Sequence, residues 1–216
     1  MGNFEKVSAE QFAAAIEEGP ASPSFYEQFA RFRADVSGGE EGYWLHRGNL
    51  TVSGDFTAPG FCTLIVGDLT VDGLVSLDNP SGWDEGGLFI VLGSVHCKAF
   101  GNHYGKCGFV DGDLEAEDLI VNAYEDCSLI VIGSLKTFYF LGHDIWVEVG
   151  AGAVMNYGQG FCLPIGYTEA PDQVIEPQHD ETVSEELIGG DDDEEPIDVA
   201  AVWAAVRRAR KSTSRS

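Results

Sequence analysis

The residues best suited to chemistry form one acidic group, with five carboxylates in eight positions. They are Asp111, Asp113, Glu115, Glu117 and Asp118. Paired carboxylates at a suitable separation carry out general acid and base catalysis in glycoside hydrolysis, so this group is the first candidate for an active site. However, Glu115 and Glu117 are two positions apart, and residues at that spacing lie on one face of a strand. We therefore favour a solvated strand face over a catalytic pair.

Other residue types that support catalysis or metal binding are isolated in this chain. Its five histidines are His46, His96, His103, His143 and His179. None of them has a second histidine two or four positions away, and the pairing of His103 with Cys107 in a glycine-rich segment supplies fewer ligands than zinc requires. The glycine patterns that bind nucleotides or present a nucleophilic serine do not occur. The sequence predicts no catalytic residues, no metal and no cofactor.

The acidic group lies within a phrase that recurs along the chain. The phrase has apolar residues, a glycine, a small polar residue and an aliphatic residue, as in Ile65-Val66-Gly67-Asp68-Leu69. Its glycines are spaced by 19, 26, 19 and 21 residues and are Gly48, Gly67, Gly93, Gly112 and Gly133. A repeat of about 20 residues indicates a solenoid. Asp113 follows one of these glycines, as other small polar residues follow the rest, so we expect it to have a structural role at a turn.

Each repeat contains two or three short strands. Apolar residues alternate after the glycine, as Leu114 and Ala116 do, and a second apolar run such as Leu119-Ile120-Val121 follows. Alternation with a period of two residues indicates a strand with one buried face. No repeat contains ten residues at helical spacing. The predicted fold is all-β, a parallel β-helix solenoid of the usual right-handed form, with glycine at its corners.

Segments of different composition flank the solenoid, which we predict to span residues 43–168. Residues 1–42 contain two short amphipathic helices. The first begins with a capping box of Ser8 and Gln11, and the second begins at Ser22-Pro23. We expect these N-terminal helices to act as a cap, because the ends of a repeat array must be covered. A helix pair that binds a partner is the alternative.

The composition changes twice more toward the C-terminus. Residues 169–197 contain twelve Asp or Glu and no Lys or Arg, which is typical of an acidic, flexible linker. Residues 198–216 are predicted to be a helix and tail, with Asp198 as the helix cap and basic residues in the last turns. We expect this helix to be a second cap or the contact of a homodimer. Its basic end is also suited to fold back onto the acidic body.

The overall composition narrows the class of partner. The 216 residues have a formal net charge of −24 at pH 7, and 44% of them are hydrophobic, which is enough for a real core. So acidic a chain is not expected to bind nucleic acid or an anionic membrane, because phosphate binding needs a basic patch. A basic protein partner is favoured. The five cysteines contain no Cys-x-x-Cys pair, which favours the reducing cytoplasm. The chain has no long apolar run, so we expect no secretory signal and no membrane span.

The repeats resemble those of a bacterial family of short β-helix proteins with apolar-Gly-Asp-Leu coils. The resemblance covers about residues 45–145 and rests on the phrases at 64–75, 88–95, 112–121 and 128–135. Many members of that family accompany polymorphic toxin systems, so the resemblance implies a role as an immunity protein. The family commonly has Tyr-Asn-His-Gly before the last clear coil. This chain has Tyr124-Glu125-Asp126-Cys127 there, so no role of that histidine carries over.

The predicted function is the binding of a basic protein, as an immunity protein would bind a toxin domain. The first candidates for contact are Trp83, Asp84 and Glu85, in a turn-rich insertion at Asn79–Gly87. Insertions in a solenoid commonly form binding loops, and tryptophan is a frequent anchor of interfaces. The acidic residues of 111–118 are the second choice. Two alternatives stay open: a self-assembling, bactofilin-like structural protein, and a β-helix enzyme that acts on glycans.

Overall fold

A computed structural model describes residues 4–32, 42–77, 87–103, 106–123, 128–143, 146–159, 165–166 and 198–213. Within these residues the chain forms a parallel β-solenoid of about five turns, with three helices on its outside. The predicted fold class is thereby confirmed. The predicted contact residues Trp83, Asp84 and Glu85 lie outside the described residues.

Sheet A contains the first strand of each turn. Its strands, in stacking order, are β1 (Glu5–Val7), β2 (Tyr43–Arg47), β5 (Cys62–Val66), β8 (Leu88–Val91), β10 (Cys107–Val110), β12 (Ser128–Val131), β14 (Trp146–Val149) and β16 (Ile165–Gly166). From β2 onward each strand is parallel to its neighbour, whereas β1 pairs antiparallel with β2. The N-terminal edge of sheet A is therefore covered by β1.

Sheet B contains the remaining part of each turn. Its long path runs through β3 (Leu50–Val52), β6 (Leu69–Val71), β9 (Val95–His103), β11 (Leu114–Ala123), β13 (Ser134–His143) and β15 (Gly152–Gln159). In the first two turns the second apolar run is a separate strand, β4 (Phe56–Thr57) or β7 (Leu74–Ser76), and β7 pairs with the second half of β9. The two apolar segments of each repeat thus lie on one sheet.

The interior is built from rows of similar side chains that stack in register. One such row consists of Val91, Val110, Val131 and Val149, all buried in the core between the sheets. Residues two positions away in the same strands also point inward, as Phe89 does. Each inward side chain therefore packs mainly against the equivalent side chain of the turn before and the turn after.

Helices α1 (Ala9–Glu17) and α2 (Pro23–Phe32) lie on the outer face of sheet A. The predicted capping box at Ser8 is present, and Phe12 and Ile16 of α1 are buried against that face. The sheet contributes apolar side chains at the outward positions, which include Leu64, Ile90 and Phe109. The predicted cap helices thus cover the long outer face of a sheet, and the end of the stack is covered by β1.

Helix α3 (Val199–Thr213) lies on the outer face of sheet B. Asp198 caps it through a hydrogen bond from the backbone N–H of Ala201 (3.0 Å), as its sequence predicts. Its apolar face, with Val199, Val202 and Val206, is buried. None of the helices in the described ranges is long and apolar enough to cross a membrane.

The cysteines in the described strands serve as small apolar residues. Cys62 and Cys97 are buried free thiols, and Cys107 is half-buried. Burial raises the pKa of the Cys62 thiol to about 11 and raises the pKa of Cys97 further. These thiols are therefore protonated at neutral pH, and protonated thiols are poor nucleophiles.

The repeated glycines form a column at the corner between the two sheets, where successive turns approach closely. A Cβ atom on Gly93 would lie 2.6 Å from the carbonyl oxygen of Gly67, and one on Gly67 would lie 2.6 Å from the carbonyl carbon of Gly48. The obstructing atoms belong to the backbone of the preceding turn and cannot move aside. Glycine is required here by the spacing between turns.

Replacing a stacked glycine is expected to destabilise the solenoid by overpacking. Gly93→Ala should lower the free energy of unfolding by about 3 kcal/mol, measured by urea unfolding followed by circular dichroism. Gly48→Ala is the matched control, because nothing lies within 4 Å of its Cβ position and the φ of 93° costs only about 1 kcal/mol. Equal stability of the two variants would contradict the close approach of the turns.

Candidate functional site

The acidic group predicted from the sequence lies at the corner between β10 and β11 and along the first half of β11. Its five carboxylates have different partners on different sides of the solenoid. Asp111 contacts α2 on the side of sheet A, and Asp118 contacts α3 on the side of sheet B. The group is close in sequence, but its side chains do not converge on one point.

Asp113 is part of a hydrogen-bond ladder that follows the glycine column. Its backbone N–H donates to Oγ of Ser94 (3.1 Å), and its Oδ1 accepts from the backbone N–H (2.8 Å) and hydroxyl (2.7 Å) of Ser134. Equivalent bonds join Asp68 to Asn49 (3.0 Å) and Ser94 to Asp68 (2.9 Å). The bonds from Ser134 hold the pKa of Asp113 below its usual value. The structural role predicted for this aspartate is confirmed.

Asp111 fastens the start of α2 to the corner of the solenoid. Its carboxylate accepts hydrogen bonds from the backbone N–H of Ser22 (2.9 Å) and from the Ser22 hydroxyl. The same hydroxyl oxygen accepts from the backbone N–H of Phe25 (3.2 Å), so Ser22 also caps the helix. At the other end of α2, Arg31 forms an ion pair of 3.5 Å with the buried Glu148. Helix α2 is therefore held by carboxylates at both ends.

Glu115 and Glu117 lie on the outward face of β11, as the alternation predicts. Glu115 is in register with His96 and Lys136, and its carboxylate is 3.7 Å and 2.7 Å from their nitrogens. Glu117 forms an ion pair of 2.5 Å with Lys98, which raises the pKa of that lysine. Surface pairs of this kind stabilise a fold little, since water and salt screen them. They do reduce the negative charge that this face presents.

A β-bulge gives Asp118 its position. Between Ala116 and Leu119, β11 has two residues where β9 and β13 each have one. The extra residue changes the alternation locally, so that Glu117 remains exposed while the next carboxylate is covered by α3. The side chain of Asp118 is only 12% exposed.

Asp118 binds three side chains of α3. Its Oδ2 accepts a hydrogen bond from Nε1 of Trp203 (3.0 Å) and lies 4.0 Å from Nε of Arg207, and its Oδ1 accepts from Arg210. Arg210 also donates to the backbone carbonyl of Glu117 (2.9 Å). The basic end of the C-terminal helix does fold back onto the acidic body.

The surface has a cleft beside these contacts and a groove on the other side, at α1 and α2. A cleft of about 370 Å³ at the basic end of α3 is lined by both carboxylates and cations, including Asp72, Lys98, Glu117, Arg207 and Lys211. An apolar groove of about 320 Å³ lies between α1 and α2 and is lined by residues such as Phe12, Ile16, Tyr26, Phe29 and Leu88. Within the described ranges, no three His, Cys, Asp or Glu side chains are grouped to hold a metal ion.

A buried pair of asparagines was missed in the sequence. Asn102 and Asn122 are fully buried at equivalent positions of successive turns, and Nδ2 of Asn102 donates to Oδ1 of Asn122 (2.7 Å). The same Nδ2 is within hydrogen-bond distance of the carbonyls of Lys106 and Ser128. The pair thus links two turns where the chain leaves sheet B. The sequence feature that indicates this pair is the recurrence of asparagine after 20 residues, at the end of the second apolar run.

Comparison with known proteins supplies no template for these sites. No family model, curated protein or solved structure matches the chain. The resemblance to short bacterial β-helix proteins remains a prediction from the repeated phrases. The geometry of the described carboxylates is that of structural contacts within the chain.

The charge of Asp113 is expected to make the stability of the solenoid depend on pH. Because folding lowers its pKa, the carboxylate stabilises the fold above its unfolded pKa of about 3.9, and this contribution is lost as the pH falls through the folded value. Asp113→Asn keeps an acceptor, as Asn49 does, but removes the charge. Wild type should therefore be more stable than Asp113→Asn at pH 7, and the difference should be smaller at a pH below the unfolded pKa of about 3.9, where it is lost as the pH falls through the lower folded value.

Urea unfolding at the two pH values measures this difference. Asp113→Ala is the matched comparison, because it removes the acceptor as well and should cost about 1 kcal/mol more than Asp113→Asn at pH 7. A difference between wild type and Asp113→Asn that stayed constant with pH would show that the carboxylate charge takes no part in the ladder.

Proposed function

We propose that this protein is a non-catalytic binding module for a basic protein, and that it acts as an immunity protein that neutralises a basic toxin domain in the bacterial cytoplasm. The distribution of charge carries this proposal. The described residues contain 15 carboxylates and 10 Lys and Arg side chains, a formal net charge of −5. The remaining −19 of the −24 belongs to the other segments of the chain.

These other segments carry most of the negative charge of the chain. Residues 169–197 carry twelve carboxylates and no cation, and residues 78–86 add Asp78, Asp84 and Glu85 beside Trp83. A strong field of one sign raises the rate at which an oppositely charged protein associates, and salt screens that effect. Folding does not require this excess of negative charge, since repulsion between like charges destabilises the compact state. Attraction of a basic partner gives the excess a function.

The partners of the carboxylates of 111–118 disfavour a catalytic role for this group. Each of the five has a partner within the chain, and these partners belong to α2, to the glycine corner, to neighbouring strands and to α3. Catalysis by two carboxylates needs both to face one bond of the substrate. We therefore rank the segment with Trp83, Asp84 and Glu85, and the acidic run of 169–197, ahead of this group as the origin of the electrostatic attraction.

Self-assembly into a filament is the second candidate, and the end of sheet A disfavours it. End-to-end stacking of solenoids needs an open first strand. Here β1 pairs antiparallel with β2 along its three residues, from Glu5 with Leu45 to Val7 with Tyr43. The edge strand of sheet A is therefore β1 with only three residues, and a very short edge strand is a common protection against association of sheets.

The proposal predicts that a basic protein binds in a salt-dependent manner. The purified chain, used as bait at about 50 mM and about 300 mM NaCl, should retain a basic protein only at the lower salt concentration. That protein is then identified, purified and titrated against the chain. Changing Asp191, Asp192, Asp193, Glu194 and Glu195 to the corresponding amides should weaken its affinity by about tenfold or more, and replacing Trp83, Asp84 and Glu85 by alanine should do the same.

The matched control neutralises exposed carboxylates elsewhere on the molecule. Glu17 and Glu27 lie on α1 and α2, and Glu18 is the C-cap residue of α1. Their change to glutamine should leave the affinity within about twofold of wild type. Equal losses in the control and in the acidic-run variant would mean that only net charge matters. Retention of no protein, or of a partner whose affinity does not change with salt, would refute the proposed function.

A further inference from the structure

Helix α3 covers an apolar face that the solenoid would otherwise expose. Its buried residues Val199, Val202 and Val206 pack on the outward side chains of the second halves of β9, β11 and β13. The sheet residues in this contact are Ala99, Leu119, Val121, Tyr139 and Leu141. An exposed apolar surface of this kind on a soluble protein marks a place where another element docks.

The face is shaped for a helix with a particular pattern. Gly101 leaves room for Val199, since a Cβ on this glycine would lie 2.9 Å from a methyl carbon of the valine. At the other end, Asp118 accepts from the indole N–H of Trp203 and from the guanidinium of Arg210. The ring of Phe138 lies 4.9 Å from the same guanidinium. The surface thus recognises small aliphatic side chains, then an aromatic, then arginine in the last turns.

The attachment of α3 is of a kind that can be released. It contributes no strand to either sheet, and its arginines are largely solvent-exposed, at 54% for Arg207 and 41% for Arg210. It follows the last strand after residues 167–197, so the covalent link can remain while the helix leaves. By contrast, α2 buries Phe25 completely and is held by carboxylates at both ends.

We propose that this outer face of sheet B is the docking surface for the basic partner, which presents a basic amphipathic helix, and that α3 occupies the surface until the partner displaces it. The inference rests on the proposed function in one respect, that the partner is basic. Because α3 and the partner helix would bind the same surface, the side chains of α3 indicate which side chains the partner helix needs. A partner helix needs small aliphatic residues on one face and arginines near its C-terminal end.

A helix from a second copy of the chain is the rival occupant, and concentration disfavours it. Helix α3 belongs to the same chain as the face it covers, so its docking is intramolecular and has a higher effective concentration than docking of a helix from another molecule. At micromolar protein concentration, the helix of another molecule cannot compete with this intramolecular docking. A basic partner can, because the twelve carboxylates of 169–197 attract it to the same end of the chain.

The test uses the full-length chain in an open and in a locked form. Val202→Asp places a charge in the apolar contact, so α3 should detach while the sheet surface stays intact. Gly101→Cys with Val199→Cys should lock the helix by a disulfide, because a Cβ on residue 101 would lie 3.4 Å from the Cβ of residue 199. The probe is a fluorescent synthetic peptide with the sequence of residues 198–213, and binding is measured by anisotropy.

The open variant should bind the peptide, and wild type should bind it at least about tenfold more weakly, because its own helix competes. The locked variant should not bind until a reductant opens the disulfide. Adding Asp118→Asn to the open variant should lower its affinity by about tenfold, because this substitution removes the charge that pairs with Arg210. Circular dichroism should show the same solenoid spectrum and a cooperative melt in all variants.

Several outcomes would overturn the proposal. An open variant that unfolds would show that α3 is an integral part of the fold, and a folded open variant that ignores the peptide would show that the face is no docking surface. Oxidation of the cysteine variant to linked dimers would assign the face to a second copy. A captured basic protein that fails to displace the peptide would bind elsewhere, which would refute this inference and leave the proposed function intact.

Discussion

The stacking of one turn on the next in parallel register is the constraint on which the rest of the structure depends. It repeats the same environment at each position, so valine meets valine in the core and a polar side chain meets the next backbone N–H at the corner. It also requires a close approach of backbones, which only glycine permits in the column of Gly67 and Gly93. A carboxylate at the corner therefore forms hydrogen bonds that join successive turns. Asp113 illustrates this. It lies in the acidic group that was the first candidate for an active site, and its contacts are those of a structural residue at a turn.

Register also determines what the outside of the solenoid presents. Outward positions form rows across the turns, so that opposite charges in one row pair, as Glu115 and Lys136 do. Apolar outward rows instead need a cover, which α1 and α2 supply for sheet A and α3 supplies for sheet B. These covers differ in their contacts: α2 buries the ring of Phe25 and is held by carboxylates at both ends, whereas α3 buries three valines and is joined to the sheet by Asp118 and by the backbone carbonyl of Glu117. Of the net charge of −24, the described residues account for only −5.

The repeat made most of the fold predictable, because each glycine phrase carries the same local information about turns and alternation. The helices were also predictable from their caps and apolar faces, with Ser8 and Asp198 as clear signals. The surfaces that the helices cover were not, since a bond such as that between Ser22 and Asp111 joins residues 89 positions apart. The bulge that turns Asp118 toward α3 depends on one extra residue relative to both neighbouring strands, which is visible only once the pairing is known.

The most direct test of this account is hydrogen exchange of the full-length chain, followed by mass spectrometry at low and high salt. The stacked turns are expected to form one cooperative unit, and α3 is expected to be a separable cover. Amides of β9, β11 and β13 should exchange slowly and together at both salt concentrations. Amides of α3 should exchange at least about tenfold faster, and faster still at high salt, where the ion pairs of Asp118 are screened. Protection of α3 equal to that of the strands, and unchanged by salt, would contradict the account.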